Sequence, residues 1–363
     1  MTEHVQISVQ NHLGIITLNR PKALNSLSLA MVRALTQALL DWHDDAKIRA
    51  VLIRSSSEKA FCAGGDIRFF HDVGAASPQG GSALLEDFFS EEYALNHLIH
   101  FYPKPYIALM DGVVMGGGMG IAQGGAACRM RIVTERTRMA MPEVNIGLFP
   151  DVGGGYFLSH TAAQLGTYLG VTGEVIHAAD ALYCDLADVF IPAAQLPALA
   201  ALLMATDSAD IRATIRTFAA PFGTQIDPEH SLLARQRTLI ERHFARHSVA
   251  EIIASLSADP DPFAQKTLAV MQKRSPLMMC VTLEQIRRSA TMQVTDCLRQ
   301  ERTMVRHCFA HGEVLEGVRA LVVDKDNAPQ WQPATLDAVT PEMIARFFEP
   351  AWPPHAHPLR DLL

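Results

Sequence analysis

A chain of 363 residues with 49% apolar and 19% charged side chains can build a sizeable core and carries too little charge for broad disorder. Its length exceeds one average domain, so one large or two unequal domains are expected. The formal net charge of −7 excludes a general nucleic-acid binder, although a phosphorylated small ligand needs only a few local basic groups.

In chain order, two alternating runs at 5–9 and 13–18 flank Asn11-His12 and predict a hairpin. The loop Asn19-Arg-Pro-Lys-Ala-Leu-Asn25 follows, and Ser28 then caps a helix through about Trp42. Residues 50–53 make a short buried strand, so strand, helix and strand open an α/β unit. Phe61-Cys-Ala-Gly-Gly-Asp-Ile67 comes at the carboxyl end of that strand, where open α/β sheets bind ligands. Residues 74–82, rich in Gly, Ser, Ala and Pro, predict a mobile loop. A helix over 86–101 and a strand over 105–110 lead to Asp111-Gly112. Val113-Val-Met-Gly-Gly-Gly-Met-Gly120 then opens a helix, where free N–H groups attract negative charge. Its spacing departs from the dinucleotide pattern GxGxxG, and three glycines also suit close packing of helix on sheet.

After a strand at 131–134 comes Met141-Pro-Glu-Val-Asn-Ile-Gly-Leu-Phe-Pro-Asp-Val-Gly-Gly-Gly-Tyr156. It carries two carboxylates, Glu143 and Asp151, in an apolar, glycine-rich run. A carboxylate held among apolar groups has a raised pKa, which suits proton transfer near neutral pH. Pro142 and Pro150 each stiffen the backbone before a carboxylate, and Gly153 to Gly155 free it to turn ahead of a helix. The bland alternative is a surface loop with Asp151 as an N-cap and Glu143 solvated. Helices are expected at 162–169, 178–186 and 194–204, with a strand at 189–191. Strand signals then thin out, and helices at 232–245, 249–256, 262–273, 279–289 and 295–310 complete the chain. This predicts a core over 1–215 holding the active site and a mainly helical region over 216–363, jointed near Pro221-Phe-Gly223. No internal repeat is evident in the sequence.

The six cysteines form no CxxC pair or zinc spacing and read as reduced, mostly buried residues of a cytoplasmic protein. The N-terminus lacks a signal-peptide core, and no apolar run reaches membrane-span length. Fifteen dispersed histidines include no HExxH, and His97 with His100 fits a packed or solvated pair better than a metal site. No GxSxG elbow is present, which weakens a serine-hydrolase reading. The two glycine-rich turns could instead point the N–H groups of Gly65 and Gly117 into one crevice as an oxyanion hole. An opposing carboxylate would then abstract a proton, activate water or attack a carbonyl, so the residues indicate carbonyl chemistry on an activated acyl compound.

Phe61-Cys-Ala-Gly-Gly-Asp-Ile67 with Met115-Gly-Gly-Gly-Met-Gly120 resembles the crotonase, or enoyl-CoA hydratase/isomerase, superfamily. The 141–157 segment resembles its 3-hydroxyisobutyryl-CoA hydrolase branch, as does Glu316-Gly-Val-Arg-Ala320 followed by Asp324-Lys-Asp326, Pro329, Trp331 and Pro333. The resemblance covers nearly the whole chain. It implies an α/β spiral of ββα units with a helical C-terminal region, and an acyl-CoA thioester whose carbonyl oxygen sits between the N–H groups of Gly65 and Gly117. It further implies Glu143 and Asp151 as catalytic carboxylates, Glu92 as a substrate contact, and coenzyme A gripped along Lys22, Ala23, Ala63, Gly64, Asp66 and Ile67. No metal or separate cofactor is expected, since coenzyme A is part of the substrate.

Hydratases of the superfamily add water with two glutamates, and the first falls where Gly120 stands here. Glycine can be neither acid nor base, so the resemblance favours thioester hydrolysis, in the setting of valine breakdown. By the resemblance, the chain is about three residues longer than its relatives near Gly124-Gly-Ala-Ala127, behind the expected site. The rival readings are a hydratase or isomerase of the same superfamily and a binding protein that kept the fold without catalysis. Trimers or pairs of trimers are expected by resemblance, with no membrane or nucleic-acid partner.

Overall fold

The computed structural model describes residues 2–77 and 81–362. β1 (Val5–Gln10) and β2 (Leu13–Leu18) form the expected antiparallel hairpin, with Asn11 at φ 53 in its turn. Asn tolerates that left-handed conformation better than most residues. α1 (Leu29–His43) begins where the Ser28 hydroxyl accepts the Met31 N–H. β3 (Ala50–Ser55) and β4 (Ala60–Cys62) precede α2 (Ile67–Ala75), capped by Asp66, and α3 (Ala83–His100). Part of the loop expected over 74–82 lies at 78–80, outside the described residues, while its first two residues end α2. β5 (Tyr106–Met110), β6 (Val113–Met115) and the single turn α4 (Gly117–Gly120) follow, then β7 (Arg129–Val133) and β8 (Arg138–Ala140).

Next come α5 (Gly154–Ser159), α6 (Leu165–Thr172), α7 (Ala178–Tyr183), β9 (Val189–Phe190), α8 (Leu196–Ala205) and α9 (Ile211–Ala219). The remaining helices are α10 (Leu232–Phe244), α11 (Val249–Ser257), α12 (Pro262–Met271), α13 (Pro276–Ser289), α14 (Val294–His311), α15 (Glu313–Val318) and α16 (Pro341–Arg346). α6 starts three residues later than the expected 162, because Ala163 sits at φ 54 and breaks the helical path.

By contacts the chain forms two compact units, each built from three stretches. The first comprises Met1–Gly65, Ala94–Ala140 and Val175–Arg235, and it holds both sheets. The larger sheet runs β1-β2-β3-β5-β7-β9, parallel except for the β1–β2 hairpin. The smaller runs β4-β6-β8, all parallel. The pairs β3/β4, β5/β6 and β7/β8 therefore each give one strand to each sheet. This is the spiral of ββα repeats, present in space although no repeat shows in the sequence. β3 and β5 are buried on both faces, which explains their continuous apolar runs.

One face of the larger sheet packs Leu13, Leu52, Ile107 and Ile132 against Leu199, Leu203, Ile211 and Ile215. Ile211, Ile215 and Ala219 recur every four residues, the spacing that puts them on one side of α9. The expected joint at Pro221-Phe-Gly223 lies in a 3₁₀ segment, Ala220–Gln225, that follows α9 directly, and Phe222 packs against the same core. The boundary between 215 and 216 is replaced by the discontinuous division above, because burial of α9 ties 175–235 to the strands.

The second unit comprises Asp66–Tyr93, Met141–Glu174 and Gln236–Leu363 and is almost wholly helical. Its aromatic centre includes Phe70, Phe88, Phe89 and Phe309, with ring centroids 4.7–6.5 Å apart in edge-on or tilted pairs. The 141–157 segment belongs to this unit, among the C-terminal helices.

Candidate active site

In the sheet unit, β4 runs into Ala63-Gly64-Gly65. Gly64 has φ 104, a conformation open mainly to glycine. The turn is fastened by the Ala63 N–H to Leu24 O at 3.0 Å and the Leu27 N–H to Gly64 O at 2.8 Å. Neither bond uses the Gly65 N–H. β6 leads to Gly116 at φ 50, and Gly117 then starts α4. As the first residue of a helix, Gly117 has no intrahelical acceptor for its N–H. The two turns touch: a Cβ on Gly64 would lie 3.1 Å from Met115 O and 3.5 Å from Gly117 N. A Cβ on Gly118 would collide with the Cys62 carbonyl, so the backbones approach as closely as glycine allows. The 64–65 and 116–117 turns therefore lie side by side.

Lys22 and Ala23 lie in a 3₁₀ turn, Lys22 exposed and Ala23 half-buried, and Leu24 O reaches Ala63. Asn25, a residue outside the expected grip, is fully buried and anchors this loop. Its amide donates to Ser55 Oγ at 2.7 Å, Phe61 O at 3.0 Å and Ala60 O at 3.2 Å, while its oxygen accepts the Arg20 N–H at 2.7 Å. Asp66 caps α2 by accepting from Phe69 N at 3.3 Å, and Ile67 begins that helix, both half-buried.

In the helical unit, Glu143 opens a 3₁₀ turn over Glu143–Ile146 and is 6% exposed. Asp151 is 5% exposed and Glu92, on α3, 2%. These values overturn the solvated-loop alternative, and Asp151 is not the cap of α5, since Gly153 holds that position. Burial pushes the pKa of all three carboxyls up, and the charge of Asp151 pushes Glu92 and Glu143 further. Asp151 is raised to about 6, restrained by the Tyr93 phenol, which donates to its Oδ2 at 2.7 Å. Two carboxylate oxygens, Glu92 Oε1 and Glu143 Oε2, are buried and accept no hydrogen bond from the protein. Three acids with raised and mutually dependent pKa values can divide the roles of proton donor, proton acceptor and nucleophile.

The backbone that follows Asp151 is constrained. Val152 lies at φ 54, rare for a β-branched residue and worth about 1–3 kcal/mol of strain. Gly153 follows at φ 86, and the Gly154 N–H closes back on Asp151 O at 2.6 Å. From α14, Glu301 accepts the Gly153 N–H at 2.7 Å and the Gly155 N–H at 2.9 Å. From α13, the Gln285 amide donates to Pro150 O at 2.7 Å and to Glu301 Oε1 at 3.2 Å. Burial pushes Glu301 up to about 8, against the pull of the glycine N–H groups.

The Glu143 turn has its own supports. The Ser275 N–H donates to Val144 O at 3.3 Å, and the Ser275 hydroxyl to Glu313 Oε2 at 2.8 Å. The backbone of Gly317 presses on Ile146 so closely that a Cβ would clash. Arg319 gathers the acidic residues of the C-terminal motif, meeting Glu316 at 2.8 Å, Asp324 at 2.6 Å and Asp326 at 2.7 Å. That motif buttresses the turn that carries Glu143. Tyr93, Gln285 and Glu301 were not legible beforehand, since each meets the acid turn only through chain separations of 58 to 148 residues.

Gly120 is buried at the end of α4 and offers no side chain. Residues 124–127 dock on the end of α3: the Gly125 N–H donates to His100 O at 3.1 Å, and Arg212 reaches Ala126 O at 3.1 Å. Among the described residues, no group of three or more His, Cys, Asp or Glu side chains is arranged to hold a metal ion.

Comparison with known proteins adds the lineage. Residues 13–348 match the family described as enoyl-CoA hydratase/isomerase. The chain is 39% identical over 350 residues to a mitochondrial 3-hydroxyisobutyryl-CoA hydrolase of Gallus gallus, covering 95% of this chain and 89% of that protein. For the Homo sapiens protein of the same name the identity is 36% over 350 residues, covering 96% and 89%. A structure described as a carnitinyl-CoA dehydratase from Mycobacterium thermoresistibile superposes with TM-score 0.88 at 38% identity, covering 97% of this chain and 98% of that one. One described as an enoyl-CoA hydratase from Rhodobacter sphaeroides 2.4.1 gives TM-score 0.83 at 36% identity, covering 96% and 98%. With the ββα spiral, the touching glycine turns and a family match over most of its length, this chain belongs to the enoyl-CoA hydratase/isomerase family.

Proposed function

We propose that this chain hydrolyses an acyl-CoA thioester, with 3-hydroxyisobutyryl-CoA as substrate and 3-hydroxyisobutyrate and coenzyme A as products. The observation that carries the reading is the pair of buried acids on the 141–157 segment, Glu143 and Asp151, combined with glycine at position 120. Relatives 36–39% identical to this chain over 350 residues are named 3-hydroxyisobutyryl-CoA hydrolase. The hydratase and dehydratase names of the two solved structures supply the second reading, which lacks its first glutamate here.

In the proposed reaction the N–H groups of Gly65 and Gly117 polarise the thioester carbonyl, and each such donor contributes roughly 3–4 kcal/mol to stabilising an oxyanion. Glu143 attacks the carbonyl carbon, the C–S bond breaks, and coenzyme A leaves as its thiolate, which takes a proton from solvent. Water then opens the mixed anhydride while Asp151 orients it and takes its proton. In the alternative route Glu143 activates water directly. Glu92 contacts the substrate, and Lys22, Ala23, Ala63, Gly64, Asp66 and Ile67 grip the coenzyme portion. Valine breakdown is the metabolic setting that this substrate belongs to. The relatives' names place them in mitochondria, whereas the reduced thiols of this chain suit any reducing compartment, the cytoplasm included.

Release of free thiol across a panel of acyl-CoAs tests the activity. Fast release from 3-hydroxyisobutyryl-CoA with no hydration of crotonyl-CoA is expected, and the opposite pattern would replace hydrolase with hydratase. Repeated turnover in heavy-oxygen water should label the Glu143 carboxylate. An unlabelled Glu143 together with no acyl group trapped by hydroxylamine favours direct attack by water. Light scattering tests assembly into trimers or hexamers.

A further inference from the structure

We propose that Glu301, helped by Gln285, is a positioning residue for the reaction: from two C-terminal helices they hold the Pro150–Gly155 turn in the one shape that aims Asp151. The inference rests on the hydrolase reading above and extends it to residues on α13 and α14. Four hydrogen bonds define the arrangement. Gln285 Nε2 fixes the start of the turn at Pro150 O, 2.7 Å away, and bridges to Glu301 Oε1 at 3.2 Å. The two oxygens of Glu301 fix its end, Oε2 on the Gly153 N–H at 2.7 Å and Oε1 on the Gly155 N–H at 2.9 Å.

Between these ties sit Asp151 and the strained Val152. A β-branched residue in the left-handed region persists only where its surroundings over-determine it. The ties supply that constraint. The space around them is full, since a Cβ on Gly155 would lie 2.5 Å from Ser289 Oγ and 3.1 Å from both Gln285 Nε2 and Glu301 Oε1. Every partner of Glu301 in this arrangement is an N–H donor, and each of its oxygens accepts at least one of them. Glu301 is fully buried and donates nothing to the turn. It acts on the chemistry through Asp151, on which the Tyr93 phenol also bears.

Glu301→Gln keeps the volume but turns an NH₂ group toward one of the two glycine N–H donors. Its kcat for 3-hydroxyisobutyryl-CoA is expected to fall at least tenfold, with KM changed less than threefold. Amide exchange at Gly153 and Gly155 should rise without a matching rise over the strands. Glu301→Asp keeps two acceptor oxygens on a shorter arm and should recover part of the lost kcat. Unchanged kcat and unchanged exchange in a folded Glu301→Gln protein would overturn the inference, as would a loss of kcat matched by an equal rise in KM. Should Glu301→Gln fail to fold, Gln285→Leu serves instead, with lower kcat at wild-type KM expected and wild-type kcat overturning the role. Activity of the unaltered chain is measured first. Its absence would count against the hydrolase reading alone, since the exchange measurement still decides whether Glu301 holds the turn.

Discussion

The Tyr93 phenol donates to Asp151 Oδ2 at 2.7 Å and favours the charged carboxylate that burial opposes. Tyr93→Phe removes that donor while keeping the ring, so the Asp151 pKa should climb above about 6. The acidic limb of kcat against pH should then move to higher pH. An unmoved limb would mean that Asp151 does not set it. Glu143→Gln and Asp151→Asn remove the reacting groups themselves. Each should lower kcat by about a hundredfold or more at nearly constant KM, measured by thiol release. Near-normal turnover in either variant would strike that residue from the mechanism. At this scale the sequence was informative about the acids because two carboxylates in an apolar run are costly unless used. It was silent about Tyr93 because a tyrosine on a helix gives no sign of what its hydroxyl will meet across 58 residues.

Single elements show where local pattern suffices. β3 and β5 were readable because a strand buried on both faces is a short apolar run, and α1 because Ser28 and an apolar stripe mark its start and face. β6 and β8 were missed since three residues carry no period. α9 was missed because its residues are polar on one side and its apolar side is specified by the sheet beneath it. Ile215 lies fully buried at that contact, so Ile215→Ala should cost about 2–5 kcal/mol in a denaturant titration. A loss below 0.5 kcal/mol, roughly a surface substitution, would detach α9 from the sheet core. Gly118→Ala tests the glycine turns, since its methyl would meet the Cys62 carbonyl. Overpacking there should destabilise by about 1–3 kcal/mol and lower kcat as the 64–65 and 116–117 turns separate. A variant with both wild-type stability and wild-type kcat would show that the close approach is dispensable.

For the molecule as a whole, buried carboxyls give an unusual dependence of stability on pH. Asp151, Glu313 and Glu301 are raised to about 6, 7 and 8 in the folded chain, burial being the first cause for each. In the unfolded chain the same groups titrate near 4. Between those values the folded state binds more protons than the unfolded state, so these groups make stability fall as pH rises. Their contribution is full below about pH 4 and lost as pH passes through 6 to 8. Melting temperature should therefore decline from pH 5 to pH 8, and Glu313→Gln should flatten part of the decline. A slope that is unchanged by Glu313→Gln would remove Glu313 from this account.

What the sequence determined by itself was local: which runs are apolar, where glycine and proline force turns, and which carboxylates stand inside an apolar run. Those features identify the Gly64–Gly65 turn, the Gly116–Gly117 turn and the pair Glu143 and Asp151, because each depends on residues close together in the chain. Tertiary structure alone decided that Gly64 meets the 115–117 backbone, that Tyr93, Gln285 and Glu301 converge on one turn, and that 175–235 belongs with the strands. Contacts between distant segments depend on shape and burial, and neither leaves a local signature in composition or periodicity.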